Sequence, residues 1–270
     1  MTDQIRAGFE RDDRFDRQRR IEWIDQEKIS RSSVLVLGAG ALGNEVVKNL
    51  VLSGFHILTI VDFDRVERSN LARCVFFTER DAEKRAWKAE CLARAIEDFS
   101  DEIKVSLFTN PVEELPRNVF AEQDIIFGCL DNFNARLHVN AYASLACKPY
   151  IDGGMQGTIG RIFLSKPPDG PCLECASNAT HSKIAALRFS CTDSSVNFFA
   201  PPTPAEITTT SIVSALAVKE GMRLLSPKAP KLEGQMIYYD GLRNSLELME
   251  LDIDPSCPNH GSMRDRGSTE

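Results

Sequence analysis

Three glycines, Gly38, Gly40 and Gly43, constrain this chain more tightly than its other features. The apolar run Val34 to Leu37 is too short for a helix and delivers the chain into G-x-G-x-x-G. From Leu42 to Ser53, Leu42, Val46, Val47, Leu50 and Val51 then recur at helical spacing, so the segment reads as strand, tight turn and helix. Gly38 permits the turn, Gly40 lets backbone approach an anionic group without a Cβ in the way, and Gly43 lets the helix lie close on the strand. A second β-rich run, Ile57 to Val61, ends on Asp62, 24 residues after Gly38. That is close to the distance at which a βαβ unit sets an acid against a nucleotide ribose. The motif points to a nucleotide and does not say which one.

A chain of 270 residues has room for one large α/β domain or two small ones. Its formal net charge of −7 argues against a nucleic-acid surface as its main purpose. No apolar run reaches about 18 residues, and the N-terminus is charged where an export signal would be apolar. The expectation is a cytoplasmic protein without a membrane partner. Eight cysteines in such a chain point to metal binding or thiol chemistry before disulfides.

Residues 1–30 read as an N-terminal helical arm, frayed over residues 1–13, with the cationic cluster Arg14 to Arg20 ahead of an amphipathic Ile21 to Ile29. After the βαβ unit, Asp62, Asp64, Asn70 and Arg73 fall in one loop at the carboxyl end of a strand, where doubly wound sheets bind ligands. Arg73 offers a planar fork for phosphate oxygens, a device a hydride-transfer site does not need. Glu79 to Phe99 reads as one charged helix carrying Lys84 and Lys88, and Val112 to Ala121 as a short helix. Strands follow at Ile103 to Phe108, Ile125 to Gly128 and Pro149 to Asp152. The second of them ends on Cys129-Leu130-Asp131-Asn132, where Asp131 can hold Mg²⁺. Glycines from Gly153 onward signal a turn to antiparallel pairing. Helical spacing returns over Thr208 to Leu225, and Gln235 to Asp240 with Ser245 to Leu251 read as a hairpin. The fold class expected is α/β, a Rossmann-like doubly wound, mostly parallel sheet with an antiparallel C-terminal extension.

Cys172-x-x-Cys175 and Cys257-x-x-His260 share a two-residue spacing, and two such knuckles complete a closed site for Zn²⁺. Such a zinc knuckle would clamp the C-terminal segment, residues 261–270 beyond it being a disordered tail. Between the pairs, about 176–205, a Pro-rich crossover loop carries Cys191 with Arg188 nearby, an arrangement that favours a thiolate nucleophile. Cys74, Cys91, Cys129 and Cys147 read as core fillers.

R-F-D-R-Q from Arg14, G-A-G-A-L-G, D-F-D-x-V-x-x-S-N-L-x-R from Asp62, L-D-N, the C-x-x-C pair, a loop cysteine followed by Thr and a terminal metal pair together resemble the ubiquitin-activating enzyme superfamily. That superfamily includes the bacterial adenylyltransferases of the molybdopterin and thiazole sulfur carriers, the MoeB and ThiF types. The resemblance runs from Arg14 to His260 and makes residues 31–260 one adenylation domain.

The resemblance implies that Asp62 meets the ATP ribose, Asn70 and Arg73 the phosphates, and Asp131 Mg²⁺. Lys88 matches the K-A-E lysine best, with Lys84 left open. Arg17 becomes a finger supplied in trans across a homodimer, and Cys191 the thioester-forming cysteine. The terminal pair departs from the commoner C-x-x-C in having His260 as fourth ligand. The implied partner is a ubiquitin-like or sulfur-carrier protein ending in glycine, with a conjugating enzyme or sulfurtransferase downstream. No rhodanese-like domain or ubiquitin-fold extension follows the metal pair, so those partners are expected to be separate. Four other readings stand beside this one: a dehydrogenase on the same βαβ unit, a relative that adenylates a small or tRNA-borne carboxylate, sulfur-carrier activation without a stable enzyme thioester, and a catalytically silent subunit.

Overall fold

The computed structural model describes residues 13–176, 204–229 and 231–260. Cys191, residues 177–203 of the expected crossover loop and the expected tail lie outside these residues, as do residues 1–12. Two short helices, α1 (Asp16–Arg19) and α2 (Gln26–Arg31), precede β1 (Ser33–Leu37), α3 (Ala41–Ser53) and β2 (Ile57–Val61). Next come α4 (Glu79–Glu83), α5 (Lys88–Glu97), β3 (Lys104–Phe108), α6 (Arg117–Ala121), β4 (Ile125–Gly128) and α7 (Phe133–Leu145). The chain continues with β5 (Tyr150–Gln156), β6 (Ile159–Ser165), α8 (Leu173–Ala176), α9 (Ile207–Leu225), β7 (Gln235–Asp240) and β8 (Ser245–Glu250).

All eight strands form one sheet in the order β3-β2-β1-β4-β5-β6-β7-β8. The first five are parallel, and from β5 onward every pairing is antiparallel. The sheet therefore has the expected class. Strands β1 and β4 are all but solvent-free from Val34 and Ile125 onward, because helices cover both faces. On one face α3 and α9 pack together, with Val46, Val47 and Leu50 sharing a core with Val213, Ala217 and Val218. On the other, Val139 and Ala143 of α7 meet Leu35, Leu37 and Ile126. Strand order reverses between β1 and β4, so the loops that leave their carboxyl ends diverge and open a crevice at the top of the sheet.

Three expectations need correction. The single helix over Glu79 to Phe99 is two helices. Lys84 to Trp87 break it, with Arg85 at φ 48° and Trp87 bridged to Arg65, while Val66 N–H donates to the Ala86 carbonyl at 2.8 Å. This docking moves the second helix start to Lys88. Pro116 divides the expected helix over Val112 to Ala121, leaving a single 3₁₀ turn, Val112–Glu114, ahead of α6. Cys147 is exposed, at φ 52° in the turn into β5, and fills no core.

Candidate active site

The crevice holds a cavity of about 500 Å³, within the range of small-molecule sites. Its glycine edge is built by contacts that no side chain could share. A Cβ on Gly43 would lie 1.9 Å from the Gly38 carbonyl oxygen, and one on Gly38, at φ 99°, would lie 2.6 Å from the Cys129 carbonyl oxygen. Gly40 is different: a Cβ there would have nothing within 4 Å, because the position faces the cavity. Gly43 is thus the packing glycine and lines no part of the cavity.

Asp62 ends β2 and fixes this loop. One carboxylate oxygen accepts from Ala39 N–H at 2.6 Å and the other from Asp64 N–H at 2.8 Å. Burial raises its pKa, and nearby Lys88 only partly offsets this. Asn44, fully buried, completes the support by donating to the Ala39 carbonyl at 2.8 Å and accepting from Phe76 N–H at 3.1 Å. Sequence reasoning passed over Asn44. Its only signal was a polar residue directly after Gly43 on a helix face that is otherwise apolar.

Gly38, Gly40, Asp62, Asp64, Asn70, Arg73, Lys88 and Asp131 all line the one cavity. Lys88 opens α5 and its ammonium meets the Asp64 carboxylate at 2.7 Å. Burial alone would lower its pKa, but Asp62 and Asp64 together push it above the ordinary lysine value, so it stands as a cation. Lys84 is exposed and outside the cavity. Asn70 accepts from Glu67 N–H at 3.0 Å and so caps the turn that presents Arg73. Asp131 follows β4 just before Asn132, which caps α7, and its exposed carboxylate has no hydrogen bond or ion pair among the described residues. A free carboxylate at a strand end fits Mg²⁺, which commonly takes one or two protein carboxylates together with substrate phosphates.

Arg17 is exposed on α1 and lines no part of this cavity. Gln18 on the same helix donates to the Ser53 carbonyl at 2.8 Å, which places the arm at the C-terminal end of α3. The cavity is at the other end of that helix, about 20 Å away by helical rise. Of the described cysteines beside the cavity, Cys74 is pushed up to about 11 by burial and Cys129 is also raised by burial, so neither is poised as a thiolate.

The two knuckles meet although their cysteines are 85 residues apart in the chain. Cys172 Sγ lies 3.6 Å from Cys257 Sγ and 3.9 Å from Cys175 Sγ, and Cys175 Sγ lies 3.4 Å from His260 Nδ1. A tetrahedral thiolate–zinc site has S–S edges of about 3.8 Å, so the donor set fits. His260 Nε2, at 3.0 Å from the Gly170 carbonyl, leaves Nδ1 free to ligate, the arrangement that orients a metal-bound imidazole. These four residues form a cluster that can hold zinc.

The chain matches the ThiF family over residues 15–259. It belongs to that family. A sulfur carrier protein adenylyltransferase of Thermus thermophilus is 29% identical over 91% of this chain and 89% of its own length. The sulfur carrier protein ThiS adenylyltransferase of Bacillus subtilis is 33% identical over 57% of this chain and 46% of its own. SUMO-activating enzyme subunit 2 of Dictyostelium discoideum is 30% identical over 59% of this chain, which spans only 24% of that longer protein. Among solved structures, E. coli MccB with ATP superimposes with a TM-score of 0.71 at 24% identity, over 87% of this chain and 68% of that one. That likeness is one of fold. Among the described residues no helix is long and apolar enough to cross a membrane.

Proposed function

We propose that this ThiF-family chain uses MgATP to adenylate the C-terminal glycine carboxylate of a ubiquitin-like or sulfur-carrier protein. One observation carries the reading: a single cavity joins the glycine loop to Arg73, Asn70 and Lys88 on one side and to the free carboxylate of Asp131 on another. The adenylyltransferase names of the relatives support it.

The reaction sets a weak carboxylate nucleophile against an anionic phosphate, so charge cancellation and alignment decide its rate. The carboxylate oxygen attacks the α-phosphorus, the bond to the bridging oxygen breaks, and pyrophosphate leaves with that electron pair. Asp62 holds the glycine loop and meets the ribose, while Lys88 and Arg73 neutralise phosphate charge. Asp131 would hold Mg²⁺, which when bound screens the phosphates. Arg17 completes the charge set in trans, since its own cavity is a helix length away. The Cys191 thiolate then attacks the acyl-adenylate, forming a thioester and releasing AMP, and a sulfurtransferase or conjugating enzyme takes the product. The Cys₃His knuckle holds Zn²⁺ as a structural clamp, because four protein ligands leave no position for water.

ATP–pyrophosphate exchange tests this reading. Exchange should depend on a glycine-terminated carrier and survive Cys191→Ala. It should fall about 10²–10³-fold in Lys88→Ala and stay unchanged in Lys84→Ala. Exchange driven by a free small carboxylate, with no response to any carrier, would overturn the choice of substrate.

A further inference from the structure

The loop from Asp62 to Phe76 carries Asn70 and Arg73, and both of its ends are tied to one peptide unit of the glycine loop, that of Ala39. At the front, the Asp62 carboxylate accepts from Ala39 N–H at 2.6 Å. At the back, Phe76 N–H donates to the Asn44 side-chain oxygen at 3.1 Å. The nitrogen of the same side chain donates to the Ala39 carbonyl at 2.8 Å and to the Gly40 carbonyl at 3.2 Å. Asn44 sits in the first turn of α3 and is fully buried, so water does not compete for these bonds. Among the described residues, the bond to Phe76 is the one hydrogen bond from residues 63–76 to α3.

The two ends of the loop hold different cations. Lys88 is registered to the front: its N–H donates to the Asp64 carbonyl at 3.0 Å, and its ammonium meets the Asp64 carboxylate at 2.7 Å. Arg73 belongs to the back, three residues before Phe76. Its N–H donates to the Asn70 carbonyl at 3.0 Å and its guanidinium to the Ser69 carbonyl at 2.5 Å, so it is fixed only within its own turn. Val75, next to Phe76, is exposed, and packing does not set the depth of the chain there. The side chain of Asn44 spans from this segment to the glycine loop.

We propose that Asn44 is a positioning residue for Arg73. Its side-chain amide sets the distance between the glycine loop and the back of the phosphate loop, and so where the Arg73 guanidinium meets the nucleotide. This rests on the adenylation reading above, in which Arg73 faces phosphate.

The experiment uses the full chain, with hydrogen exchange in the absence of nucleotide and a titration with a non-hydrolysable MgATP analogue. Asn44→Ser is the milder variant: a serine hydroxyl can donate to the carbonyl four residues back, that of Gly40, but is too short to reach Phe76. Asn44→Ala keeps neither bond. Both should speed exchange over residues 70–77 and leave β1 and β4 protected. Asn44→Ser should weaken binding of the analogue about tenfold, the equivalent of one hydrogen bond. With Arg73→Ala already in place it should change affinity less than about twofold, whereas with Lys88→Ala in place it should keep its full effect. An amide that served stability alone would lower affinity by the same factor in every background. A full tenfold loss on top of Arg73→Ala, unchanged exchange over residues 70–77, or exchange rising equally in β1 would each overturn the proposal while the wild-type chain binds the analogue. A wild-type chain that does not bind the analogue would overturn the adenylation reading and this proposal with it.

Discussion

At the scale of single residues, the three glycines divide their work in a way that substitutions can separate. Gly43→Ala places a Cβ 1.9 Å from a backbone carbonyl, which has no flexible end to move aside. It should cost about 3 kcal/mol or more and appear as a lower melting temperature or loss of soluble protein. Gly40→Ala meets no atom within 4 Å and sits at a negative φ, so the fold should keep its melting temperature. Its new methyl points into the cavity, and affinity for the nucleotide analogue should fall about tenfold or more. The reverse ranking, with Gly40→Ala unstable and Gly43→Ala merely weak in binding, would contradict the division between a packing glycine and a ligand-facing one.

At the scale of elements, the knuckle on α8 is tied to the body by more than its cysteines. Leu173 N–H donates to Asn140 of α7 at 2.9 Å, and Asn259 donates to Cys172 Sγ at 3.6 Å. The thiols sit at ligand distances, and metal binding should complete the element and anchor the segment that follows β8. Protein purified without chelator should carry zinc at one ion per chain. Chelation, or His260→Ala, should remove it, lower the melting temperature by several degrees and expose the segment after β8 to limited proteolysis. Absence of stoichiometric zinc would reduce the two pairs to unrelated thiol turns.

At the scale of the whole molecule, the distance of Arg17 from its own cavity makes a claim about assembly. If Arg17 serves the site of a second copy, Arg17→Ala and Lys88→Ala chains should each be nearly inactive alone. Their mixture should regain exchange activity, because one site in the mixed pair combines an intact Lys88 with an intact Arg17. No recovery after subunit exchange would place Arg17 outside the reaction or confine it to its own chain. Mass measurement of the mixture, by light scattering, shows whether the copies associate at all.

Much of this fold was legible in the chain because its signals are local. Alternation and apolar runs named the strands, helical spacing named α3 and α9, and the G-x-G-x-x-G turn fixed where the first crossover begins. The candidate site was legible for a related reason: in a doubly wound sheet, polar residues directly after strands share one edge, so Asp62 and Asp131 could be placed together from spacing alone. What spacing could not reach depends on contacts between distant segments. The break between α4 and α5 comes from docking against Arg65 and Val66, and it is this docking that turns Lys88 inward while Lys84 stays in water. Arg136, Asp152 and Arg161 carry no motif, and they come together only when α7, β5 and β6 pack around Gly154. The sequence by itself determined the class of sheet, the glycine loop and the four members of the Cys/His cluster, all of which follow from local backbone and side-chain chemistry. Only the tertiary structure decided which lysine faces the cavity, that Arg17 lies a helix length from it, and which carboxylate holds Arg136, because each is a matter of distance through space.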